Sequence, residues 1–201
     1  MSESDFTFSA EDVEGTAEEG FGPVEGDQDP APYEPYDASD GPDAQSIVLQ
    51  NMDGSTDVFI DRDGDGVIDA ILHDADSDGI AETAGYDTTG DGRIDTILRD
   101  YDGDGVVDAA FLDTNADGHI DVIETDVNGD GRMDQVLSDT DFDGRPDTLV
   151  QDTNFDGRPD VEARDLDGDG QVDRIVLDTD YDGLADQVTY LRPDTNPFAA
   201  N

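Results

Sequence analysis

The chain has no cysteine, no lysine and no tryptophan, and its only basic side chains are nine arginines and two histidines among 201 residues. Without cysteine there can be no disulfide, no thiolate chemistry and no cysteine-based zinc or iron–sulfur site. With 55 acidic residues the net charge is −46. A phosphate backbone finds no basic surface here, so nucleic acid is excluded as a partner. An anionic membrane is excluded in the same way unless a cation bridges the two. No apolar run approaches the roughly 20 residues that a membrane-spanning helix needs, so no transmembrane segment is expected. The first residues carry no basic stretch followed by an apolar one, so no standard signal peptide is expected either.

What is present is a 13-residue unit repeated ten times without a gap, from Asp61 to Tyr190. Its clearest copy is D-L-D-G-D-G-Q-V-D-R-I-V-L, Asp165 to Leu177. Positions 1 and 5 are Asp and position 6 is Gly in every unit. Position 3 is Asp or Asn except for Thr89, and position 9 is Asp except for Glu82. Positions 8 and 11 are mostly aliphatic. A period this strict makes each unit one structural module that stacks on others.

The acidic positions have the chemistry of a hard-cation cage. Calcium takes six to eight oxygen ligands from carboxylates, amide oxygens and carbonyls. Carboxylates at positions 1, 3 and 5 converge if the chain wraps round an ion, and position 9 closes the far side. Position 7 offers its carbonyl, and Gly at position 6 permits the wrap. The candidate ligands of unit one are Asp61, Asp63, Asp65 and Asp69; of unit two, Asp74, Asp76, Asp78 and Glu82. Unit three has Asp87, Asp91 and Asp95, and Thr89 makes it the weakest cage; unit four has Asp100, Asp102, Asp104 and Asp108. Unit five has Asp113, Asn115, Asp117, the carbonyl of His119, Asp121 and Glu124. Units six and seven have Asp126, Asn128, Asp130 and Asp134, then Asp139, Asp141, Asp143 and Asp147. Units eight to ten have Asp152, Asn154, Asp156 and Asp160, then Asp165, Asp167, Asp169 and Asp173, then Asp178, Asp180, Asp182 and Asp186. The expected cofactor is calcium, about one ion per repeat.

The motif D-x-[DN]-x-D-G-x-x-[DE], met in nine of the ten units, resembles the calcium loops of EF-hand, dockerin and thrombospondin type 3 proteins. Unit five alone matches the EF-hand pattern through Glu at position 12, and the resemblance implies that Glu124 is a ligand. The other units have residues such as Leu72, Leu98, Phe111 and Leu137 there. Asp at position 9, or the first Asp of the next unit, is expected to replace it.

An EF-hand needs a helix on each side of its loop, and these loops follow one another too closely for helices. The stretches Val67 to Leu72, Ile94 to Leu98, Ile120 to Ile123 and Val172 to Val176 are short and rich in β-branched residues. The expected fold is therefore all-β: a repeat array or solenoid of short strands joined by calcium-binding loops. The alternative is a thrombospondin type 3-like chain wrapped round ions with little regular structure. Residues 1–46, acidic and rich in Pro and Gly, are expected to be a disordered tail. Residues 47–60 read as a worn capping repeat, and 191–201 as a C-terminal tail.

No catalytic constellation emerges. His73 and His119 stand at different repeat positions and lack a nucleophile partner, so the protein is not expected to be an enzyme. The expected function is that of a calcium-dependent structural, adhesion or spacer module with a protein or cell-surface partner. The alternatives are an intracellular calcium buffer or calcium-responsive binding protein, and an acidic matrix protein associated with mineral. The expected location is extracellular or at the cell surface, reached by a leaderless route; the alternative is cytoplasmic.

Overall fold

The computed structural model describes residues 45–192; most of the expected N-terminal tail, and the C-terminal tail from 193, lie outside the described residues. The described chain is an all-β repeat array of twelve antiparallel strands joined by loops. The strands fall into two compact units, β1–β6 and β7–β12.

The first unit opens with the hairpin of β1 (Gln45–Gln50) and β2 (Thr56–Asp61). It continues through β3 (Ala70–Asp74), β4 (Thr83–Tyr86), β5 (Thr96–Arg99) and β6 (Ala109–Leu112), each antiparallel to the strand before it. The second contains β7 (Val122–Thr125), β8 (Gln135–Ser138), β9 (Thr148–Gln151), β10 (Val161–Arg164), β11 (Arg174–Leu177) and β12 (Gln187–Tyr190), paired in the same way.

From β4 onward the strands occupy positions 10 to 13 of each repeat, and β3 runs one residue further, to Asp74. The sequence placed their start nearer position 8. The difference arises because the loop needs all of positions 1 to 9. The position-9 carboxylate folds back onto the amide of position 2, as in Val127 N–H to Asp134 Oδ2 at 2.9 Å, so the chain becomes extended only after it. Pro146 and Pro159, at position 8, accordingly lie just ahead of β9 and β10 and remove no ladder donor.

The register pairs position 11 of one strand with position 12 of the next: Ile71 faces Gly85, and Leu72 faces Ala84. Paired residues share a face, so each face alternates between the two positions. One face of the first unit carries Phe59, Ile71, Gly85, Ile97 and Phe111, and the other carries Val58, Leu72, Ala84, Leu98 and Ala110. This is why both positions are apolar. A small residue also leaves room for a loop side chain: Ile94, at position 8, lies over Gly85, where an added Cβ would stand 3.0 Å from Ile94 Cγ2.

Because the chain reverses at each strand, a loop stacks not on its neighbour in sequence but on the next but one. The position-1 amide donates to the position-9 carbonyl two repeats earlier. Asp87 to Asp69 (2.8 Å) and Asp113 to Asp95 (2.8 Å) show this in the first unit, and Asp152 to Asp134 (2.8 Å) and Asp165 to Asp147 (2.7 Å) in the second.

All ten loops have positive φ at both position 4 and position 6. Position 4 is Gly in five units, but Ser77, Ala116, Phe142, Phe155 and Tyr181 hold φ of 60° to 63° in the others. The left-handed region costs a side-chain-bearing residue about 1 kcal/mol. Ala116→Gly is therefore expected to stabilise the protein by about 1 kcal/mol, read as a higher denaturation midpoint. An unchanged or lower midpoint would show that the loop is not held in this conformation in solution.

Candidate metal centre

Each loop is built on carboxylate-to-amide hydrogen bonds of short sequence span. The position-1 carboxylate accepts the amide of position 6 in every repeat, from Gly66 to Asp61 (2.9 Å) to Gly183 to Asp178 (2.7 Å). Where position 4 is Gly, its amide donates to the other oxygen of the same group, as with Gly103 to Asp100 (2.7 Å) and Gly129 to Asp126 (2.7 Å). Positions 3 and 5 each accept the amide two residues on. Asp65 N–H to Asp63 Oδ1 (3.0 Å) and Val67 N–H to Asp65 Oδ1 (2.7 Å) form one such pair. Asp104 N–H to Asp102 Oδ1 (3.1 Å) and Val106 N–H to Asp104 Oδ1 (2.8 Å) form another. Position 9 accepts the position-2 amide on Oδ2, as in Thr140 to Asp147 (2.7 Å) and Leu166 to Asp173 (2.9 Å).

This pattern decides which oxygens remain. Positions 3 and 5 spend Oδ1 on the loop and retain Oδ2, while position 9 spends Oδ2 and retains Oδ1. The retained oxygens, with the second lone pairs of position 1, form a hard-oxygen donor set of the kind calcium takes.

Carboxylate oxygens of positions 1, 3 and 9 converge within 4.8 Å of one another at Asp61, Asp63 and Asp69; at Asp100, Asp102 and Asp108; at Asp139, Asp141 and Asp147; and at Asp165, Asp167 and Asp173. In unit two the converging groups are Asp74, Asp76 and Asp78. Glu82, one methylene longer, sends Oε2 to the amide of Ala75.

Burial makes the arrangement costly without a counter-charge. Eleven aspartates at positions 1 and 9 are buried, against ten apolar side chains, among the described residues. Burying an ionised carboxylate is unfavourable unless it is paired and hydrogen-bonded. The loop amides supply hydrogen bonds but no charge. Asp74 Oδ1 and Asp173 Oδ1 are buried and accept no hydrogen bond. Burial, with Asp126 and Asp130 nearby, raises the Asp134 carboxyl above the usual range; Asp182 and Asp186 do the same to Asp180. The side chains thus fit a divalent cation in charge, hardness and placement.

The loops are not equal. In unit three, Thr88 Oγ1 (2.7 Å) and Thr96 Oγ1 (2.9 Å) both donate to Asp95 Oδ1, whereas in unit seven only one threonine hydroxyl, that of Thr148, reaches the equivalent Asp147 Oδ1. Burial pushes the Asp95 carboxyl up, but these hydrogen bonds outweigh it and hold the group below its ordinary range. In units with Asn at position 3, the amide turns partly inward. Asn154 Nδ2 lies 3.3 Å from Asp156 Oδ2, and Asn128 Nδ2 lies 3.4 Å from Asp134 Oδ1. In unit five, Asp113 accepts Gly118 N–H at 2.7 Å and Asn115 accepts Asp117 N–H at 2.8 Å. His119 donates its amide to Asp117 Oδ1, Asp121 is buried just ahead of β7, and Glu124 lies within β7 opposite Val136.

In the β1–β2 hairpin, protein donors occupy both oxygens of Asp57. Asn51 Nδ2 donates to Asp57 Oδ2 (2.8 Å), and His73 Nδ1 lies 2.7 Å from Asp57 Oδ1. Asn51 and Asp57 were legible as worn ligand positions. The part played by His73, 16 residues away, carried no sequence signal.

No catalytic cluster forms among the described residues, whose architecture is a simple antiparallel β-repeat. No helix among them is long and apolar enough to cross a membrane. The chain matches no family model, no curated protein and no solved structure.

Proposed function

We propose that this protein is a calcium-binding structural module, taking about one ion per repeat, whose loops become rigid when the ions are bound. The observation that carries the reading is the set of oxygens left over at positions 3, 5 and 9, converging beside buried carboxylates whose loop hydrogen bonds come from uncharged amides. Ten divalent ions would bring the array from a net −30 to −10 and remove most of its self-repulsion. The 13-residue loops share this logic with the EF-hand, dockerin and thrombospondin type 3 loops they resemble, with position 9 taking the closing role. A chain of this kind acts as a spacer or adhesion element towards a protein or cell-surface partner. It belongs outside the cell or on its surface, where calcium is abundant.

The direct test is calcium titration by calorimetry, with the position-6 glycine amides followed by NMR so that each loop is read separately. Loops one, four, seven and nine, with four carboxylates each, are expected to respond, and loop three is expected to be weakest. Thr89→Asp restores the missing carboxylate and is expected to tighten loop three by about tenfold, as for one added charged ligand. Glycine amides that do not shift with millimolar calcium would sink the proposal.

A further inference from the structure

We infer that Arg192 is a built-in counter-ion for the ninth loop: its guanidinium competes with the cation proposed there and fastens the last strand without it. The inference rests in part on the calcium reading above.

Leu191 N–H donates to the carbonyl of Asp173 at 2.7 Å. This is the bond that the first residue of every stacked repeat makes with the repeat two before it. Leu191 and Arg192 thus stand at positions 1 and 2 of an eleventh unit, but Pro193 and the sequence after it do not continue the motif. The Arg192 side chain lies instead on the loop it would have stacked over.

The oxygens it reaches are those a cation would use. The loop spends Asp167 Oδ1 on the amide of Asp169 (3.2 Å), Asp169 Oδ1 on Gln171 (3.0 Å) and Asp173 Oδ2 on Leu166 (2.9 Å). Asp167 Oδ2, Asp169 Oδ2 and Asp173 Oδ1 remain. Arg192 Nη1 is 2.8 Å from Asp169 Oδ2 and 3.6 Å from Asp167 Oδ2, and Nε is 3.5 Å from Asp173 Oδ1. Nη2 adds a 3.1 Å bond to Asp169 Oδ1, which makes the contact with Asp169 bidentate.

Among the described residues Asp173 is the most buried carboxylate, with 0% exposure, and its Oδ1 accepts no hydrogen bond. The nearby guanidinium is therefore its charge partner. Asp167 and Asp169 are about two-fifths exposed, so those contacts are surface ion pairs, and what sets the cluster apart is the fully buried Asp173 beneath the same guanidinium. A planar fork with five donors can span three carboxylates, whereas an ammonium acts as a point charge. The only other arginine at position 2 is Arg62, in the first unit, which has no complete loop before it. The device thus belongs to the end of the array. It gives loop nine a permanent charge partner and ties the residue after β12 to the repeat below.

The test compares the full chain with its Arg192→Gln and Arg192→Lys variants. Calcium is titrated while the Gly168 and Gly170 amides are followed by NMR. Hydrogen exchange of β12 and Leu191 is measured in chelator and in saturating calcium. Arg192→Gln is expected to tighten loop nine by about tenfold, since it frees a bidentate charge-assisted contact, and to leave the other loops unchanged. The Leu191 amide should exchange faster than in wild type in chelator, and recover in calcium. Arg192→Lys should fall between the two and guards against a fold lost through removal of the charge. An unchanged loop-nine titration in both variants overturns the competition. If wild type shows no calcium response in any loop, the calcium reading fails, and exchange in chelator alone decides the fastening. Unchanged Leu191 protection there overturns it.

Discussion

In chelator the array is expected to lose most of its β signal and expand, with the remaining order confined to the last repeats that Arg192 ties together, and millimolar calcium is expected to restore both. The fold has few means of holding itself together without ions. The strands, mostly of four residues, form one sheet layer within each unit, and the ten buried apolar side chains include five alanines among the described residues. Such strands are marginal unless something else orders them. Against this stand 38 acids and eight arginines between Asp61 and Tyr190, many of the acids converging inside loops. Ion binding then becomes part of the folding free energy, as in other small metal-dependent folds. Circular dichroism and hydrodynamic radius are to be compared in chelator, in micromolar calcium and in millimolar calcium. A compact protein with full β signal in chelator would show that the strand ladder suffices alone. It would also remove the reason for placing the protein where calcium is abundant.

Gly105→Val is expected to abolish ion binding in loop four and to loosen the strands on either side of it, β5 and β6. Gly105 holds φ of 89°, where a β-branched side chain is strongly disfavoured. Its amide donates to Asp100 Oδ2 at 2.8 Å, so a backbone that relaxes away from this φ also releases the position-1 carboxylate. The nearest atoms to an added Cβ are Ile80 Cδ1 and Cγ2, at 3.9 and 4.0 Å. The damage therefore comes from the backbone rather than from crowding. The destabilisation is expected to reach about 3 kcal/mol, the upper range for a strained backbone residue. Met52→Val, at a fully exposed turn residue, should change nothing. Thermal unfolding of both variants in calcium, with the Gly103 amide as the local probe, provides the check. Equal tolerance at the two positions would mean that loop four is not wrapped as described.

Much of this was written in the sequence. The strict spacing of Asp at 1, 5 and 9, with Gly at 6, specified loops that gather carboxylates, because only a wrapped backbone brings those positions together. The brevity of the stretch between loops excluded helices and left short strands. The apolar residues at positions 11 and 12 marked a strand covered on both faces.

What the sequence did not show was direction. A 13-residue period is equally compatible with strands that all run one way and with strands that reverse. The reversal makes position 11 face position 12 and sends alternate loops to opposite edges of the sheet. Within each unit it also makes a loop rest on the one two repeats earlier. Pairing of consecutive strands sets His73 opposite Asp57 and Ile94 over Gly85, and the stacking two repeats apart lays Arg192 across Asp167, Asp169 and Asp173. None of these pairs has a signature within one repeat, since each depends on hydrogen bonds between strands rather than on local backbone preference. The positive φ of Phe142, Phe155 and Tyr181 was hidden for a related reason. Position 4 tolerates bulky residues only because the closed loop and its stacked neighbours hold the backbone there, against the local preference of those side chains.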